Sequence, residues 1–254
     1  MIDAQNDLLI INTEGKGYGP QGPRHIEKTE GNNKRIFSEA PPYEKMNLCN
    51  IHFHEAAEHK GGEFTKYAGN GDGLGFGTGW EYSGELSDEE KTPVNYFICP
   101  GNNGSLEVGD TIEVHFVHST AQVTPGPTLG ACLSESIINP QLRVEAQVYV
   151  IVNDDAAGAD FEQQMYVDEV NGYWQAPNIP NDTGDAVQYE GSTTGPSYNT
   201  KGSPVQISWS VRPEVKKVTA ESVNNWCGNN VFYEFEAQGV RNLVKARELL
   251  SEIN

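Results

Sequence analysis

Apolar and polar residues alternate along several short segments of the chain, a pattern typical of β-strands. The clearest segment, residues 142–152, reads LRVEAQVYVIV and is followed by an Asn-Asp-Asp turn. The same pattern favours strands over residues 48–53, 95–99, 111–118 and 204–211. The chain is therefore predicted to fold mainly as β-structure with long loops.

Helical spacing of apolar residues is confined to the last third of the chain. Residues 240–253 repeat apolar side chains at three- and four-residue intervals, and residues 220–226 predict a short helix with Thr219 as its N-cap. Residues 1–45 are rich in Gly, Pro and charge, which predicts an irregular lead-in. Because no repeat or linker divides the sequence, we expect one domain over residues 1–254.

The formal net charge of −19 narrows the range of partners. Phosphate contacts need Lys and Arg, so the charge argues against nucleic acid and against anionic membranes. No segment approaches the roughly 20 apolar residues of a membrane helix, and no signal peptide is visible at the N-terminus. We therefore expect neither a nucleic-acid partner nor membrane insertion.

Four cysteines are present, and none belongs to a CxxC pair. A Cys-rich zinc site is therefore not indicated. An even number of cysteines permits two disulfides in three connectivities, and we expect at least one disulfide among Cys49, Cys99, Cys132 and Cys227. The connectivity stays open.

Five of the six histidines fall in two short segments. Side chains two residues apart on a strand share a face, so His52 and His54 project together. His115 shares a face with Glu113 on the second predicted strand. If the two strands are neighbours, the three imidazoles converge and leave the fourth tetrahedral position of a catalytic zinc for water.

Metal-bound histidines need their second ring nitrogen held by a hydrogen-bond acceptor. Asn50 lies two residues before His52 and is predicted to accept from it. Glu113 is predicted to do the same for His115. The remaining histidines of the two segments, His59 and His118, are interpreted as hydrogen-bonded structural residues.

The order of these segments resembles the carbonic anhydrases. HFH, then EH, then ExHxVH is the alpha-class order, and NLCNIHFHEAAEHKGGEF followed by YAGNGDG is similar to the delta class of marine organisms. YEGSTTGP at residues 189–196 and PVQISWSV at residues 204–211 resemble further alpha-class segments, with a weaker match at residues 239–242. The similarity is ordered along most of the chain.

The resemblance implies a mainly β (α+β) fold: a single domain around a large, mostly antiparallel twisted sheet with short peripheral helices. It implies zinc as the cofactor, held by His52, His54 and His115. The implied activity is the reversible hydration of carbon dioxide to bicarbonate and a proton by zinc-bound hydroxide. A homodimer stays open.

Other roles follow from the same resemblance. Thr193 would accept a hydrogen bond from the zinc-bound hydroxide, and Glu58 would accept the Thr193 proton. Val117 and Trp209 would line an apolar pocket for carbon dioxide. Because the leucine between the family's serine and threonine is missing here, Thr194 is a rival for Thr193 and a further pocket residue.

Three points of the carry-over stay open. Glu63 is a rival for Glu58, because the gap after His54 is shorter than in the alpha class. Either Val144 or Ala146 joins the apolar pocket. No residue matches the family's proton-shuttle histidine, so His25, His59, buffer or a water chain would carry the proton.

Two other functions fit parts of the pattern. His52, His54 and Glu58 match the cupin motif HxHxxxE, in which the glutamate is itself a ligand and the metal is often iron or manganese. The PxG of the second cupin motif is absent before His115. A non-catalytic carbonic anhydrase-like binding domain is the second alternative, and the intact histidines argue against it.

Carbon dioxide and bicarbonate are thus the expected small-molecule partners. The even number of cysteines fits an exported protein, so we expect the mature chain in the periplasm or secreted, with the cytoplasm as the alternative.

Overall fold

The computed structural model describes residues 1–192 and 199–254 of the chain. Its strands are β1 (Asn47–Glu55), β2 (Phe64–Asn70), β3 (Thr78–Tyr82), β4 (Ile98–Gly101), β5 (Gly104–Leu106), β6 (Thr111–Ser119), β7 (Leu142–Val152), β8 (Asp168–Val170), β9 (Tyr173–Gln175), β10 (Val187–Gly191), β11 (Ile207–Val211) and β12 (Lys216–Thr219). Its α-helices are α1 (Ile2–Thr13), α2 (Phe161–Gln164) and α3 (Ala220–Trp226), and 3-10 turns cover Tyr43–Lys45, Leu129–Cys132 and Arg247–Leu249. The described chain is therefore mainly β, as predicted.

A six-stranded sheet forms the centre of the fold. Its order is β1-β6-β7-β11-β10, and β12 lies beside the second half of β7. The pairs β1–β6, β6–β7 and β10–β11 are antiparallel, whereas β11 and β12 both run parallel to β7. The sheet is thus mixed, and the predicted mostly antiparallel sheet fits it loosely.

Both faces of the sheet are covered at its centre, since β6 and β7 are buried along their entire length. One face carries large apolar side chains such as Phe53 and Phe116, and Trp226 of α3 packs against Phe53 with 5.9 Å between ring centroids. The opposite face carries Val117 and Trp209 beside the histidines. The alternation of β1 and β6 therefore separates an apolar layer from a polar site.

Several local predictions are confirmed. The segments at residues 111–118 and 142–152 form β6 and β7. Helix α3 begins after Thr219, whose hydroxyl oxygen accepts from the backbone N–H of Ser222. The extent of the single domain over residues 1–254 stays a prediction.

The predicted lead-in over residues 1–45 is wrong at its start, where α1 forms. Leu9 of α1 is buried against Val244, Leu249 and Leu250. This packing stabilises a helix that shows no clear apolar stripe in sequence, because tertiary contacts override a weak local pattern.

The helix predicted over residues 240–253 is also wrong. Only the 3-10 turn Arg247–Leu249 forms there. The backbone N–H groups of Val240, Arg241 and Val244 instead bond to other segments, at Gly75, Glu58 and Pro23. The apolar spacing thus reflects burial of an irregular segment.

All four cysteines form disulfides, Cys49–Cys132 and Cys99–Cys227. The expectation of at least one disulfide is confirmed, and one of the three connectivities is selected. The first joins β1 to the loop after β6, and the second joins β4 to the end of α3. Across the described ranges, no helix has the length and apolar character needed to cross a membrane.

Candidate metal centre

Two adjacent strands bring three histidines together. In the antiparallel β1–β6 pair, His52 lies opposite His115, and His54 lies two residues further on the same face of β1. The ring centroids are 5.1 Å apart for His52 and His115, 5.2 Å for His52 and His54, and 4.7 Å for His54 and His115. The predicted convergence of the two segments is therefore present.

One nitrogen of each ring faces a shared point. His52 Nε2 and His115 Nδ1 are 3.2 Å apart, and one ring nitrogen from each of the three histidines lies within 4.8 Å of the others. His54 and His115 are buried, whereas His52 is half-buried. The shared point is thus enclosed on the side of β6 and more accessible beside His52.

The outward nitrogens of His52 and His54 are each held by an oxygen acceptor. His52 Nδ1 donates to Asn50 Oδ1 at 2.7 Å, and His54 Nδ1 donates to the carbonyl oxygen of Gly239 at 3.1 Å. The Asn50 amide is itself oriented, since its Nδ2 donates to the carbonyl of Gly126 at 3.0 Å. These acceptors place the ring protons outward and leave Nε2 of both histidines as a lone pair.

The third histidine uses its other nitrogen. His115 Nε2 donates to Glu113 Oε1 at 2.7 Å, which leaves Nδ1 as the lone pair that faces His52. Asn50 and Glu113 therefore make the hydrogen bonds that the sequence predicted for them. The acceptor on His54, a backbone carbonyl, has no side-chain signature, and only the weak match at residues 239–242 pointed to its segment.

The three lone pairs fit a divalent cation. His54 Nε2 is buried and has no hydrogen-bond partner within the described residues, and two lone pairs at 3.2 Å repel one another without a shared cation. Burial lowers the pKa of His52 well below its ordinary value, and His115 and His54 lower it further against the effect of Glu113. Neutral imidazoles are the ligand set that suits zinc.

Glu113 also belongs to a second group of candidate ligands, with His59 and His115. Its Oε1 lies 2.6 Å from His59 Nδ1, and its Oε2 accepts from the backbone N–H of His59 at 3.0 Å. Tyr189 Oη lies 2.7 Å from His59 Nε2. These hydrogen bonds engage the ligand atoms of the group, so we interpret it as a positioning network.

The charge of Glu113 is maintained by that network. Burial alone would raise its pKa, but the charge of His59 and the hydrogen bonds from His115 and His59 hold the pKa well below its usual range. An ionised carboxylate is a strong acceptor for His115. His59 and Tyr189 therefore act on the centre through Glu113, a connection that spacing along the sequence did not indicate.

Glu58 lies behind the histidines. It is buried, and its Oε1 accepts from the backbone N–H of Arg241 at 2.6 Å. Its carboxylate oxygens lie 3.7 Å from His54 Nδ1 and 4.0 Å from His115 Nε2. Both contacts involve the nitrogens that face away from the shared point. Glu58 is thus outside the convergent set, which the cupin alternative would require it to join.

Glu63 and His118 both hydrogen-bond to the backbone. Glu63 is exposed and its carboxylate accepts from the backbone N–H of Val215 at 2.8 Å. His118 is buried, and its Nδ1 bonds to the carbonyl of Phe116 at 3.0 Å. Thr193 and Thr194 lie outside the described residues.

The predicted apolar residues form a wall beside the centre. Val117 pairs with Val144, and Val144 pairs with Trp209, in one row across β6, β7 and β11. Ala146 lies opposite His115 in the adjacent row. The ring of Trp209 lies 5.0 Å from that of His115, so both candidates, Val144 and Ala146, share the face of the site.

A mainly β fold with three convergent neutral imidazoles is the arrangement of a histidine-ligated metalloenzyme. The family model described as Delta carbonic anhydrase matches residues 43–222, which is more than half of the chain. The chain therefore belongs to the delta carbonic anhydrase family. No curated protein sequence matches the chain.

Solved structures give weaker matches. A halotolerant carbonic anhydrase from Dunaliella salina is 16% identical with a TM-score of 0.27, over 51% of this chain and 50% of that one, so the match spans half of its length. An alpha-carbonic anhydrase from Photobacterium profundum is 14% identical with a TM-score of 0.30, over 96% and 94%. The enzyme from Thermovibrio ammonificans, in complex with the inhibitor sulfanilamide, is 14% identical with a TM-score of 0.29, over 91% and 87%. The family assignment rests on the family model and not on these scores.

Proposed function

We propose that the chain catalyses the zinc-dependent, reversible hydration of carbon dioxide to bicarbonate and a proton. The observation that carries this proposal is the convergence of three neutral ring nitrogens from His52, His54 and His115. Zinc held there would acidify a bound water and so supply hydroxide near neutral pH. Membership of the delta carbonic anhydrase family supports the same reaction.

The residues around the histidines would keep the ligand set neutral and rigid. Asn50 and the carbonyl of Gly239 hold the outward protons of His52 and His54, and Glu113 holds that of His115. Because each imidazole stays neutral, the metal would keep its full positive charge, on which the acidity of bound water depends.

Carbon dioxide is a small apolar molecule, and the wall formed by Val117 and Trp209 would bind it beside the metal. Both side chains are almost completely buried, at 1% exposure. An apolar surface excludes competing water and leaves the electrophilic carbon free for attack.

Two further roles remain proposals from the family resemblance. Thr193 would orient the attacking hydroxide, with Thr194 as the rival. Glu58 would accept the hydroxyl proton of that threonine, because the Arg241 N–H holds one of its oxygens and fixes the carboxylate. Zinc as the metal and a periplasmic or secreted location are likewise proposals, and the two disulfides are compatible with the latter.

The proton path would use buffer or a water chain. His59 is a poor shuttle because both of its ring nitrogens are hydrogen-bonded and the side chain is fully buried. His25 is more accessible, but it lines a different cavity that contains none of the three histidines among the described residues.

Stopped-flow hydration assays with zinc quantification test the proposal. We expect His115→Ala to lose zinc and nearly all activity, since it removes a ligand. Thr193→Ala should keep zinc and lose about 100-fold in rate, a typical effect of removing one transition-state hydrogen bond. His25→Ala, which changes a histidine away from the centre, is the matched control for zinc content.

Full zinc content and full activity in His115→Ala would contradict the proposed centre. If Thr194→Ala alone loses rate while it keeps zinc, the hydroxide-orienting residue is Thr194. Zinc-loaded wild-type chain without hydration activity would favour the non-catalytic alternative, and iron as the native metal would favour the cupin-type one.

A further inference from the structure

A cavity of about 740 Å³ has a lining distinct from that of the metal centre. Its walls come from the first turn of α1, from β2 and β3, from Lys60, and from the segment at residues 241–250. None of the three centre histidines lines it in the described part of the chain. Its volume is that of a typical small-molecule pocket.

The lining reverses the charge balance of the molecule. The chain has 17 Lys and Arg against 36 Asp and Glu. The described lining instead has four cationic side chains, Lys28, Lys60, Arg241 and Lys245, against the single carboxylate of Asp3. Asp3 is already paired with Lys245 at 3.1 Å. Within the described residues, Lys28 and Lys60 have no ion-pair partner.

The electrostatic effect of these lysines is visible at His25, which also lines the cavity. Burial lowers the pKa of His25 below its ordinary value, and the charge of Lys60 lowers it further. Glu27 opposes this shift, while Lys28 and Arg24 add to it. The lysines therefore make the electrostatic potential at this part of the lining more positive.

Arg241 also lines the cavity, but its side chain is almost completely buried. Its side chain is only 2% exposed, and one terminal nitrogen donates to the carbonyl of Gly22. Its Nε is buried and lacks a hydrogen-bond partner among the residues that the structure describes. Its charge interacts with Glu58 and Tyr189 inside the fold, so the charge available to a bound anion comes from Lys28 and Lys60.

Apolar side chains form much of the remaining wall. Trp80 carries Lys60 Nζ over its ring at 4.1 Å, and the ring of Tyr67 lies 5.3 Å from that of Trp80. Leu243 and Leu250 of the C-terminal segment also line the cavity. The cavity thus combines an apolar surface with unpaired positive charge.

We propose that this cavity binds a small organic anion with an apolar body, of the aryl sulfonate or aryl carboxylate class. The anionic group would meet Lys28 and Lys60, and the apolar body would lie against Trp80 and Leu243. Binding there requires neither zinc nor the hydration reaction, so the site is independent of the proposed function.

Isothermal titration of the zinc-loaded full chain with naphthalene-2-sulfonate tests this site. We expect one binding site that the double variant Lys28→Met/Lys60→Met weakens about tenfold, because two charges facing the anion are lost. The matched control, Lys66→Met/Lys91→Met, removes the same charge from exposed lysines outside the cavity, which pair with Glu81 and Asp88. Its affinity should equal that of the wild type.

Two further arms separate this site from the metal centre and from general hydrophobic binding. His115→Ala should bind the sulfonate as the wild type does, even if it loses zinc. The neutral analogue 2-naphthalenemethanol should bind at least tenfold more weakly. The proposal is overturned if the sulfonate does not bind, if both double variants bind alike, if the alcohol binds equally well, or if His115→Ala abolishes binding.

Discussion

The hydrogen-bond acceptor on each histidine decides which ring nitrogen faces the shared point. Asn50 and Gly239 accept from Nδ1 and turn Nε2 inward, whereas Glu113 accepts from Nε2 of His115 and turns Nδ1 inward. Because His52 and His54 use Nε2 and His115 uses Nδ1, rings on two neighbouring strands can direct a nitrogen at one shared point. The acceptors are therefore as much part of the centre as the rings.

Removing one acceptor should weaken the metal site without unfolding the chain. We expect Asn50→Ala to lower zinc affinity about 10- to 100-fold, because the His52 ring loses its fixed tautomer and orientation. Competition with a chromophoric chelator measures the affinity. The exposed Asn103→Ala is the matched control. Equal zinc affinities for the two variants would show that Asn50 does not support the metal site.

Glu190 is a second informative residue, on β10. Burial raises its pKa to about 7, with a smaller opposing effect from the Ser208 hydroxyl that donates to Oε1 at 2.8 Å. Its Oε2 is buried without a partner in the described ranges. The folded chain thus holds this proton to higher pH than the unfolded chain, whose ordinary value is 4.5.

The sign of the pH effect follows from this difference. Between pH 4.5 and about pH 7 the folded state binds the proton more tightly, so the contribution of Glu190 to stability falls as the pH rises. The free energy of unfolding of Glu190→Gln should therefore rise relative to that of the wild type as the pH increases. At pH 8 the variant should be more stable by on the order of 1 kcal/mol after allowance for solvent screening. Urea unfolding at pH 5 and pH 8 measures this, with the exposed Glu85→Gln as the control. A difference between Glu190→Gln and the wild type that does not grow with pH would contradict the assignment.

The β1–β6 pair and the loop after β6 form the element that holds the centre. The loop lies against β1, because the N–H of Gly126 donates to the carbonyl of Cys49 at 3.0 Å and Gly126 accepts from Asn50. The Cys49–Cys132 disulfide closes this contact covalently. The disulfide therefore supports the orientation of Asn50 as well as the fold.

The two disulfides should differ in their effect on zinc. Cys49→Ala/Cys132→Ala and Cys99→Ala/Cys227→Ala should each lower the free energy of unfolding by about 2–4 kcal/mol. Only the first pair should also weaken zinc affinity, because only its loop holds Asn50. Unfolding curves and chelator competition on both variants give the comparison, and equal zinc affinities would disconnect the loop from the centre.

At this scale the sequence is a good guide to the long buried strands of the sheet and a poor one elsewhere. β7 and β6 are buried on both faces and read as uninterrupted strands, so their bounds were predictable. Residues 240–253 satisfy a helical spacing, yet their backbone bonds to distant segments such as Gly75 and Pro23. Such long-range partners leave no periodic signal.

Across the whole molecule, the sequence predicted the mainly β fold, the three convergent histidines and the presence of disulfides. It could not select the disulfide connectivity or the acceptor for His54, because both depend on segments far apart in the chain, such as Cys99 with Cys227. The net charge of −19 was likewise visible, but the concentration of cations at one cavity was not. Composition gives the amount of charge, and only the fold gives its distribution.

We propose that His52, His54 and His115 together hold one zinc ion. Anomalous diffraction from crystals of the native chain, recorded above and below the zinc absorption edge, tests this arrangement. We expect a single strong peak that appears only above the edge, within bonding distance of Nε2 of His52 and His54 and Nδ1 of His115. A structure without a peak at that point, or with the metal bound by His59 and Glu113 instead, would contradict it.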